Sequence, residues 1–347
     1  MTSITYVLVS FSLSLIFCTL IMRFNLSATP TERCSHDAPT PTAGGLAFAL
    51  IFIGFLSYLF FTETYAKLPL VYNYLIAACL LLIVSLYDDC KPVSYRVRLI
   101  TQLMCALLLV IGDGIIESPV IDVQSDSVLF FQKILTVFTF LSLINAANFI
   151  DGLNGLLSLC IMITLGFAGF WVNGHQPLLH MHWVLIAAIF GFFTFNFPHG
   201  KIFMGDTGST FLGLTLGFFA LMAQSHYPVS TNHETAIFNK GFVFTLLPMA
   251  FLWFDVIFTL LRRIIHGEHL AEAHRDHMIH ILFDKGYKHA FVTLLYASGT
   301  VLMGYLTYKC HMEQISFIML LGIYAILQTS FVLFVFKIPQ RHHNEMG

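Results

Sequence analysis

Charged side chains are scarce in this chain of 347 residues, where Asp, Glu, Lys and Arg together make up 10% of the sequence. In a soluble domain, about a quarter of the residues are charged. The hydrophobic fraction of 57% and the mean hydropathy of +0.79 exclude a soluble protein of two or three domains. The formal net charge of −2 argues against nucleic acid as a partner.

Paired cysteines are also missing. The seven cysteines are scattered without a C-x-x-C pair, and most lie in or beside apolar runs, which excludes a disulfide framework and a thiolate metal site. The segment from Ile4 to Met22 is apolar, but no Lys or Arg precedes it and it lacks an A-x-A cleavage signal. We therefore expect it to be a first membrane span and not a signal peptide.

Apolar runs are abundant, and eleven of them are long enough to cross about 30 Å of hydrocarbon. Lipid offers no partner for backbone polar groups, so these runs must form α-helices. Because the second and seventh runs are short, we expect 10 or 11 transmembrane helices in one all-α, polytopic membrane domain, residues 1–347. The runs are residues 4–22, 46–61, 69–87, 99–116, 129–147, 153–172, 181–197, 208–224, 242–261, 291–308 and 315–336.

Basic residues set the expected orientation, because cytoplasmic loops carry an excess of Lys and Arg. Thirteen of the 17 Lys and Arg residues fall on one side of the predicted helices. The opposite side has the other four, which are Lys67, Lys133, Lys240 and Lys309. The sequence therefore predicts that the N-terminus lies outside and that the thirteen-residue side faces the cytoplasm.

The most informative polar stretch is KIFMGDTGST, residues 201–210, which lies between two apolar runs. Glycines let the backbone approach a ligand closely, and Lys201 adds a positive charge. Asp206 beside backbone N–H groups and hydroxyl oxygens suits Mg²⁺, which prefers oxygen ligands together with substrate phosphates. The alternative is a polar turn in which Asp206 and Thr207 only cap the next helix.

Two further clusters lie at the edges of apolar runs. Asp88 and Asp89 are adjacent carboxylates at a membrane boundary, where charges are expensive. One of them could accept a proton or approach a cation while Lys91 holds the other, or the pair could be a solvated helix end. The segment SHDAPTPTAGG, residues 35–45, makes a rigid, tight entry to the second helix, which is either part of a functional site or an ordinary Pro/Gly turn.

A fourth cluster, NAANFIDGLNG at residues 145–155, has apolar sequence on both sides. If this segment is helical, Asn148, Asp151 and Asn154 recur every third residue and project from one face. Polar groups in such a setting need partners. A ligand site would supply them, and so would a helix–helix interface.

The fifth cluster is the longest loop, residues 262–289, which follows Asp255 inside an apolar run and contains six of the 16 histidines. Zinc is the weaker interpretation, because His274, His277 and His280 would fan over successive faces of a helix and no cysteine accompanies them. Imidazoles beside Arg275 suit a diphosphate or a sugar.

All five clusters fall on the side predicted to be cytoplasmic. A transporter would place its charged residues near mid-membrane in broken helices, whereas this pattern indicates an active site assembled at the cytoplasmic interface. A transporter or flippase for a lipid-linked or anionic solute remains the alternative from another class. A non-catalytic scaffold would leave the five clusters without a purpose.

Taken together, these motifs resemble the polyprenyl-phosphate N-acetylhexosamine-1-phosphate transferases, the family that includes the translocase of peptidoglycan synthesis. The resemblance implies transfer of N-acetylhexosamine 1-phosphate from a UDP-sugar to undecaprenyl phosphate, with UMP released, Mg²⁺ required and Mn²⁺ as a substitute metal. The matching motifs are Pro39-Thr40-Pro41 with Gly44-Gly45, Asp88-Asp89, Asn148 to Gly152, Phe203 to Ser209, and His274 to His277.

The resemblance also implies a role for each matching residue. Asp206 would be the metal ligand and Asp89 would assist it, Asp88 would accept a proton from the lipid phosphate, and Asp151 would be a fourth catalytic carboxylate. Phe203 would stack on uracil. The full set of implied substrate contacts is Asn148, Asn154, Lys201, Phe203, His274, Arg275 and His277.

Some positions depart from the family pattern. Asn154 stands where many members have a second Asp, and Thr42-Ala43 stands where some members have Arg or Lys before the glycines. The last loop is short for this family and reads His-Arg-Asp-His at residues 274–277 instead of a run of histidines. In this it resembles the branch that initiates O-antigen or common-antigen synthesis more than the peptidoglycan branch. The resemblance implies a multi-pass protein of the inner (plasma) membrane with its site facing the cytoplasm. The implied partners are a UDP-N-acetylhexosamine, undecaprenyl phosphate and membrane lipid, and a homodimer is left open.

Overall fold

The computed structural model describes residues 3–24, 40–62, 64, 68–117, 125–172, 174–226, 239–268 and 276–338. Every regular element in these ranges is helical. The helices are α1 (Ser3–Phe24), α2 (Gly45–Phe61), α3 (Pro69–Cys90), α4 (Tyr95–Ile111), α5 (Asp126–Ile150), α6 (Leu156–Trp171), α7 (Gln176–Asn196), α8 (Gly205–His226), α9 (Lys240–Leu246), α10 (Ala250–Ile265), α11 (Met278–Asp284), α12 (His289–His311) and α13 (Phe317–Lys337), with a 3-10 turn at Leu247–Met249.

The prediction of an all-helical, polytopic membrane protein is confirmed. Each of the eleven predicted runs contains a helix, and residues 242–261 contain α9, the 3-10 turn and α10. Within the described ranges, seven helical segments are long and apolar enough to cross a membrane: α1, α3, α5, α7, α9 to α10, α12 and α13. Eleven crossings and an outside N-terminus stay predictions. The short helix α11 was not predicted.

Helix α8 lies at the centre of the bundle. It packs against α2, α3, α5 and α9, and residues 207–224 are all buried. Small residues make this close packing feasible: a Cβ at Gly213 would lie 2.6 Å from the Leu143 carbonyl oxygen of α5. A helix that is buried on all sides is a fixed reference for the residues at its ends.

Polar side chains join α8 to α3 inside the bundle. The Tyr74 hydroxyl lies 2.7 Å from Thr215 Oγ1, and the Ser85 hydroxyl lies 3.0 Å from Thr210 Oγ1. Because polar atoms in an apolar interior need hydrogen-bond partners, these pairs fix how α3 lies along α8. The C-terminal end of α3, with Asp88 and Asp89, is thereby placed beside the first turn of α8.

Candidate active site

The first turn of α8 is held by a carboxylate from another helix. Asp89, in the last turn of α3, accepts a hydrogen bond on Oδ1 from the Asp206 backbone N–H (2.8 Å). Its Oδ2 accepts from the Thr207 backbone N–H (3.1 Å) and from the Thr207 hydroxyl. These N–H groups have no partner inside their own helix. Asp89 thus supplies the cap that the alternative interpretation assigned to Asp206 and Thr207.

The Asp206 side chain turns away from this cap into a polar network. Asn148 Nδ2, near the end of α5, donates to Asp206 Oδ1 (2.8 Å) and to Ser209 Oγ (3.1 Å). Arg98 Nη1, in the first turn of α4, donates to Asp206 Oδ2 (3.2 Å). The Asp206 side chain remains 31% exposed, so a ligand can reach its carboxylate.

Arg98 joins two of the predicted catalytic carboxylates. Its Nη1 lies 3.3 Å from Asp88 Oδ2, in addition to its contact with Asp206. The Val93 backbone N–H donates to Asp88 Oδ1 (2.6 Å). Lys91, the basic partner that we expected for one aspartate of the pair, is exposed. Arg98 is one of the thirteen basic residues on the side predicted to be cytoplasmic, and it was not predicted as a site residue. A basic residue directly before the predicted run 99–116 is the feature of the sequence that could have identified it.

Asp151 adds another carboxyl group to this end of the bundle. Helix α5 ends at Ile150, so Asp151 lies in the following turn, and the helical face expected for residues 148–154 does not form. Gly155, with a φ of +76°, belongs to that turn. Burial, and next the Asp206 and Asp89 carboxylates, raise the pKa of the Asp151 carboxyl well above its usual range. Among the residues that the structure describes, none donates a hydrogen bond to it.

This donor set fits a hard divalent cation. Burial and the nearby Asp206 and Asp89 carboxylates disfavour the ionised form of Asp151, and a cation bound beside these groups would favour that form. Within the described ranges, no group of three or more His, Cys, Asp and Glu side chains is arranged to hold a metal ion. Mg²⁺ does not require such a group, because it takes one or two carboxylates and completes its shell with water and substrate phosphates.

The Pro/Gly-rich entry to α2 packs directly against the start of α8. The Gly44 N–H donates to the Phe203 carbonyl oxygen (2.9 Å), and the Phe203 N–H donates to the Pro41 carbonyl oxygen (2.8 Å). A Cβ at Gly45 would collide with the Gly208 backbone. The Phe203 backbone is therefore fixed from both sides while its ring is half-buried, and stacking of that ring on uracil stays a prediction.

Asn154 lies on the buried side of the turn that contains Asp151. It is 6% exposed, and its Nδ2 donates to the Pro198 carbonyl oxygen (3.2 Å). Its own carbonyl oxygen accepts from Thr293 Oγ1 of α12 (2.9 Å). These contacts join three segments of the chain. Substrate contact by Asn154 stays a prediction.

Asn196, at the end of α7, was not singled out from the sequence. Its Oδ1 accepts from the Gly155 N–H (2.6 Å), and its Nδ2 donates to the Ile202 carbonyl oxygen (2.8 Å). The side chain therefore ties the turn after Asp151 to the loop before Asp206. Lys201, in that loop, is exposed, which leaves its ammonium group accessible to an anionic ligand.

The last loop reaches the same end of the bundle through His277. This residue directly precedes α11 and is 2% exposed, and its Nδ1 lies 3.5 Å from Asp255 Oδ1. Its ring also faces Phe149, with ring centroids 6.1 Å apart. The predicted substrate contacts His274 and Arg275 lie outside the described residues, as does Pro39 of the first loop.

Ion pairs fasten this loop to the end of α10. Arg263 is 6% exposed and pairs with Asp276 and, at 2.9 Å, with Glu268. Arg262 lies 3.5 Å from Asp276. Asp276, the residue directly before His277, is thus tied to the end of α10 by two arginines.

Four aspartates, an asparagine and an arginine at one end of a bundle of membrane helices have the chemistry of an enzyme that binds phosphates at a membrane surface. The glycosyl transferase family 4 model matches residues 71–224, which include Asp88, Asp89, Asn148, Asp151 and Asp206. The chain belongs to this family, the polyprenyl-phosphate N-acetylhexosamine-1-phosphate transferases, because it is 30% identical to one relative over most of both chains.

That relative is the decaprenyl-phosphate N-acetylglucosaminephosphotransferase of Mycolicibacterium smegmatis, which is 30% identical over 307 residues, 80% of this chain and 73% of its own. The undecaprenyl-phosphate alpha-N-acetylglucosaminyl 1-phosphate transferase of Yersinia pestis is 26% identical over 87% of this chain and 82% of its own. The protein of the same name in Salmonella typhimurium is 26% identical over 80% of this chain and 75% of its own.

Proposed function

We propose that this protein transfers N-acetylhexosamine 1-phosphate from a UDP-sugar to undecaprenyl phosphate, giving the lipid-diphosphate sugar and UMP. The observation that carries the proposal is the meeting of Asp88, Asp206, Asn148 and Arg98 at the first turn of α8. Four segments that are far apart in the sequence supply these groups, and family membership gives their meeting a chemical purpose.

The Asp206 carboxylate would hold Mg²⁺, or Mn²⁺ in its place, with Asp151 beside it. A divalent cation neutralises the diphosphate and stabilises the charge that develops on the leaving UMP. Asp89 stays a predicted assistant to the metal, although both of its oxygens already accept hydrogen bonds from α8. Asn148 orients Asp206 through the 2.8 Å hydrogen bond to Oδ1.

Arg98 would present a positive charge to a phosphate between Asp88 and Asp206. A guanidinium has five donors in a planar fork, so it can retain one carboxylate while it binds a phosphate oxygen. Asp88 is held by the Val93 N–H and by Arg98, with its side chain 8% exposed. It is the candidate to accept the proton of the lipid phosphate.

Relatives of this chain use polyprenyl phosphates of different length. We propose undecaprenyl phosphate as the acceptor here, in an inner (plasma) membrane with the site facing the cytoplasm. The short last loop supports the branch that initiates O-antigen, lipopolysaccharide or common-antigen synthesis. A transporter is not favoured, because the chain belongs to a family of transferases and the site groups gather at one end of the bundle.

Release of UMP by detergent-purified protein tests this proposal. The reaction would contain undecaprenyl phosphate, Mg²⁺ and a panel of UDP-N-acetylhexosamines, and we expect release that requires both lipid and metal. The Asp206→Asn variant should lose about 100-fold or more in kcat, whereas Lys91→Gln, a change at an exposed site nearby, should not. Folded protein that releases no UMP with any of these donors would overturn the proposal.

A further inference from the structure

A second carboxylate that caps another helix lies apart from the proposed Mg²⁺ site at Asp206 and Asp151. Asp255, in α10, is completely buried within a segment long enough to cross the membrane. Its Oδ1 accepts from the Met278 N–H (2.8 Å) and from Thr259 Oγ1 (3.2 Å). Its Oδ2 accepts from the Ile279 N–H (3.2 Å) and from the Tyr296 hydroxyl (2.6 Å). Both carboxylate oxygens are therefore fully used by the protein.

The two backbone donors are the first N–H groups of α11. Helix α11 has only seven residues, too few to be stable without tertiary contacts. The carboxylate fixes both its start and its direction relative to α10. His277 directly precedes this start, and its Nδ1 lies 3.5 Å from Asp255 Oδ1. A carboxylate beside Nδ1 favours the tautomer that has a proton on that nitrogen.

Helix α11 then meets the turn that contains Asp151. A Cβ at Gly152 would lie 2.8 Å from His280 Cε1, so His280 rests directly on the backbone next to Asp151. Any shift of α11 would move His280 and, through Gly152, the Asp151 carboxylate. A continuous set of contacts thus runs from Asp255 through α11 to the turn that contains Asp151.

A backbone cap requires a hydrogen-bond acceptor, but that acceptor does not have to carry a charge. Buried ion pairs and networks are often no more stabilising than well-packed apolar side chains, and an ionisable residue inside a membrane segment is expensive. We propose that Asp255 is a positioning residue of the transferase, which acts through His277 and α11 to set the site against Asp151. The inference rests on the proposed function.

A double-mutant cycle tests this role. Asp255→Asn, His277→Gln and the double variant would be compared with the unmutated protein by kcat/KM for UMP release. We expect Asp255→Asn alone to lower kcat/KM by about tenfold or more and to change it less than about threefold in the His277→Gln background, because residues in one network are not additive. Equal effects in both backgrounds, or none in the first, would overturn the proposal.

Two controls keep the result interpretable. Thr259→Val removes a donor to Asp255 without touching α11, and its kcat/KM should stay within about twofold of the unmutated protein. If Asp255→Asn does not fold, Asp255→Glu replaces it in the cycle with the same expectation, because the longer side chain keeps the charge but displaces the two oxygens that accept from the Met278 and Ile279 N–H groups.

Hydrogen exchange separates this proposal from the proposed function, because it needs no turnover. The amide hydrogens of Met278 and Ile279 should exchange faster in the Asp255→Asn variant, while those of Asp206 and Thr207, which Asp89 holds, should not. Unchanged protection in α11 would refute the positioning role even in an active enzyme. Protein that lacks UMP release but shows the exchange pattern would refute only the transferase reaction.

Discussion

Replacing Asp89 by Asn distinguishes the capping role seen in the structure from the metal-assisting role implied by the family. In the side-chain amide, one of the two oxygens becomes an NH2 group, which donates. In one orientation it faces the Asp206 N–H, and in the other it faces the Thr207 N–H. Either way, one backbone N–H at the start of α8 loses its acceptor.

The expected loss of stability follows from these contacts. A buried donor left without an acceptor costs about 1–3 kcal/mol, and removal of a negative charge from a helix N-terminus costs about 0.3–1 kcal/mol more. We therefore expect Asp89→Asn to be destabilised by about 1–4 kcal/mol. Thr207→Val is the matched control, because it removes the hydroxyl bond alone and should cost about 1–2 kcal/mol.

Thermal unfolding in detergent and a Mg²⁺ titration of UMP release measure the two effects separately. If Asp89 acts through α8, Asp89→Asn lowers both Tm and kcat, and because the Asp206 carboxylate itself is retained, the Mg²⁺ concentration at half-maximal rate rises less than about threefold. A Tm equal to that of the unmutated protein, with a Mg²⁺ requirement raised about tenfold or more, would refute our reasoning and make Asp89 a metal ligand.

Substitutions at four other positions test particular contacts. Arg98→Gln should lower kcat/KM by about tenfold or more and Arg98→Lys by less, because Lys keeps the charge but loses the planar fork. Asp151→Asn should abolish UMP release yet raise the Tm of metal-free protein, since it removes a repelled negative charge; a lower Tm would contradict that. In Gly152→Ala, the new Cβ would lie 2.8 Å from His280 Cε1, so this variant should have a clearly lower kcat with little change in Tm. Lys285→Met removes hydrogen bonds to three carbonyl oxygens at the end of α13, so it should cost about 1–2 kcal/mol and leave kcat unchanged.

Hydrophobic run length predicted the helices well, because the bilayer imposes both the length and the type of a spanning element. Run length alone could not predict two features, the end of α5 and the presence of α11. The run at residues 153–172 does not show that α5 ends at Ile150, since Asp151 and Asn154 fit a helical spacing as readily as a turn. Helix α11 has seven residues, and its first N–H group is capped by Asp255 of α10. Because this contact comes from another helix, the sequence of α11 does not predict it.

The candidate site was predictable as a set of carboxylates but not as a set of contacts. Arg98 and Arg96 are two residues apart in the first turn of α4, and only the packing of α4 beside α3 decides that Arg98 meets Asp88 and Asp206. Similarly, Asn196 is a single polar residue at the end of an apolar helix. Its hydrogen bonds to two loops depend on how those loops pack against the end of α7, and hydrophobic periodicity does not predict that packing.

Asp89 and Asp255 solve the same physical problem in two places. A helix that starts inside a membrane protein has backbone N–H groups that water cannot reach, so another part of the chain must accept their hydrogen bonds. In both cases the acceptor is a carboxylate of a different helix, and a predicted site residue lies at the held turn: Asp206 in α8 and His277 before α11. The acceptor that satisfies the backbone thus also fixes the functional side chain, because the two are covalently adjacent. Mutation at either cap should therefore change stability and turnover together, whereas a residue that only binds metal should change turnover alone.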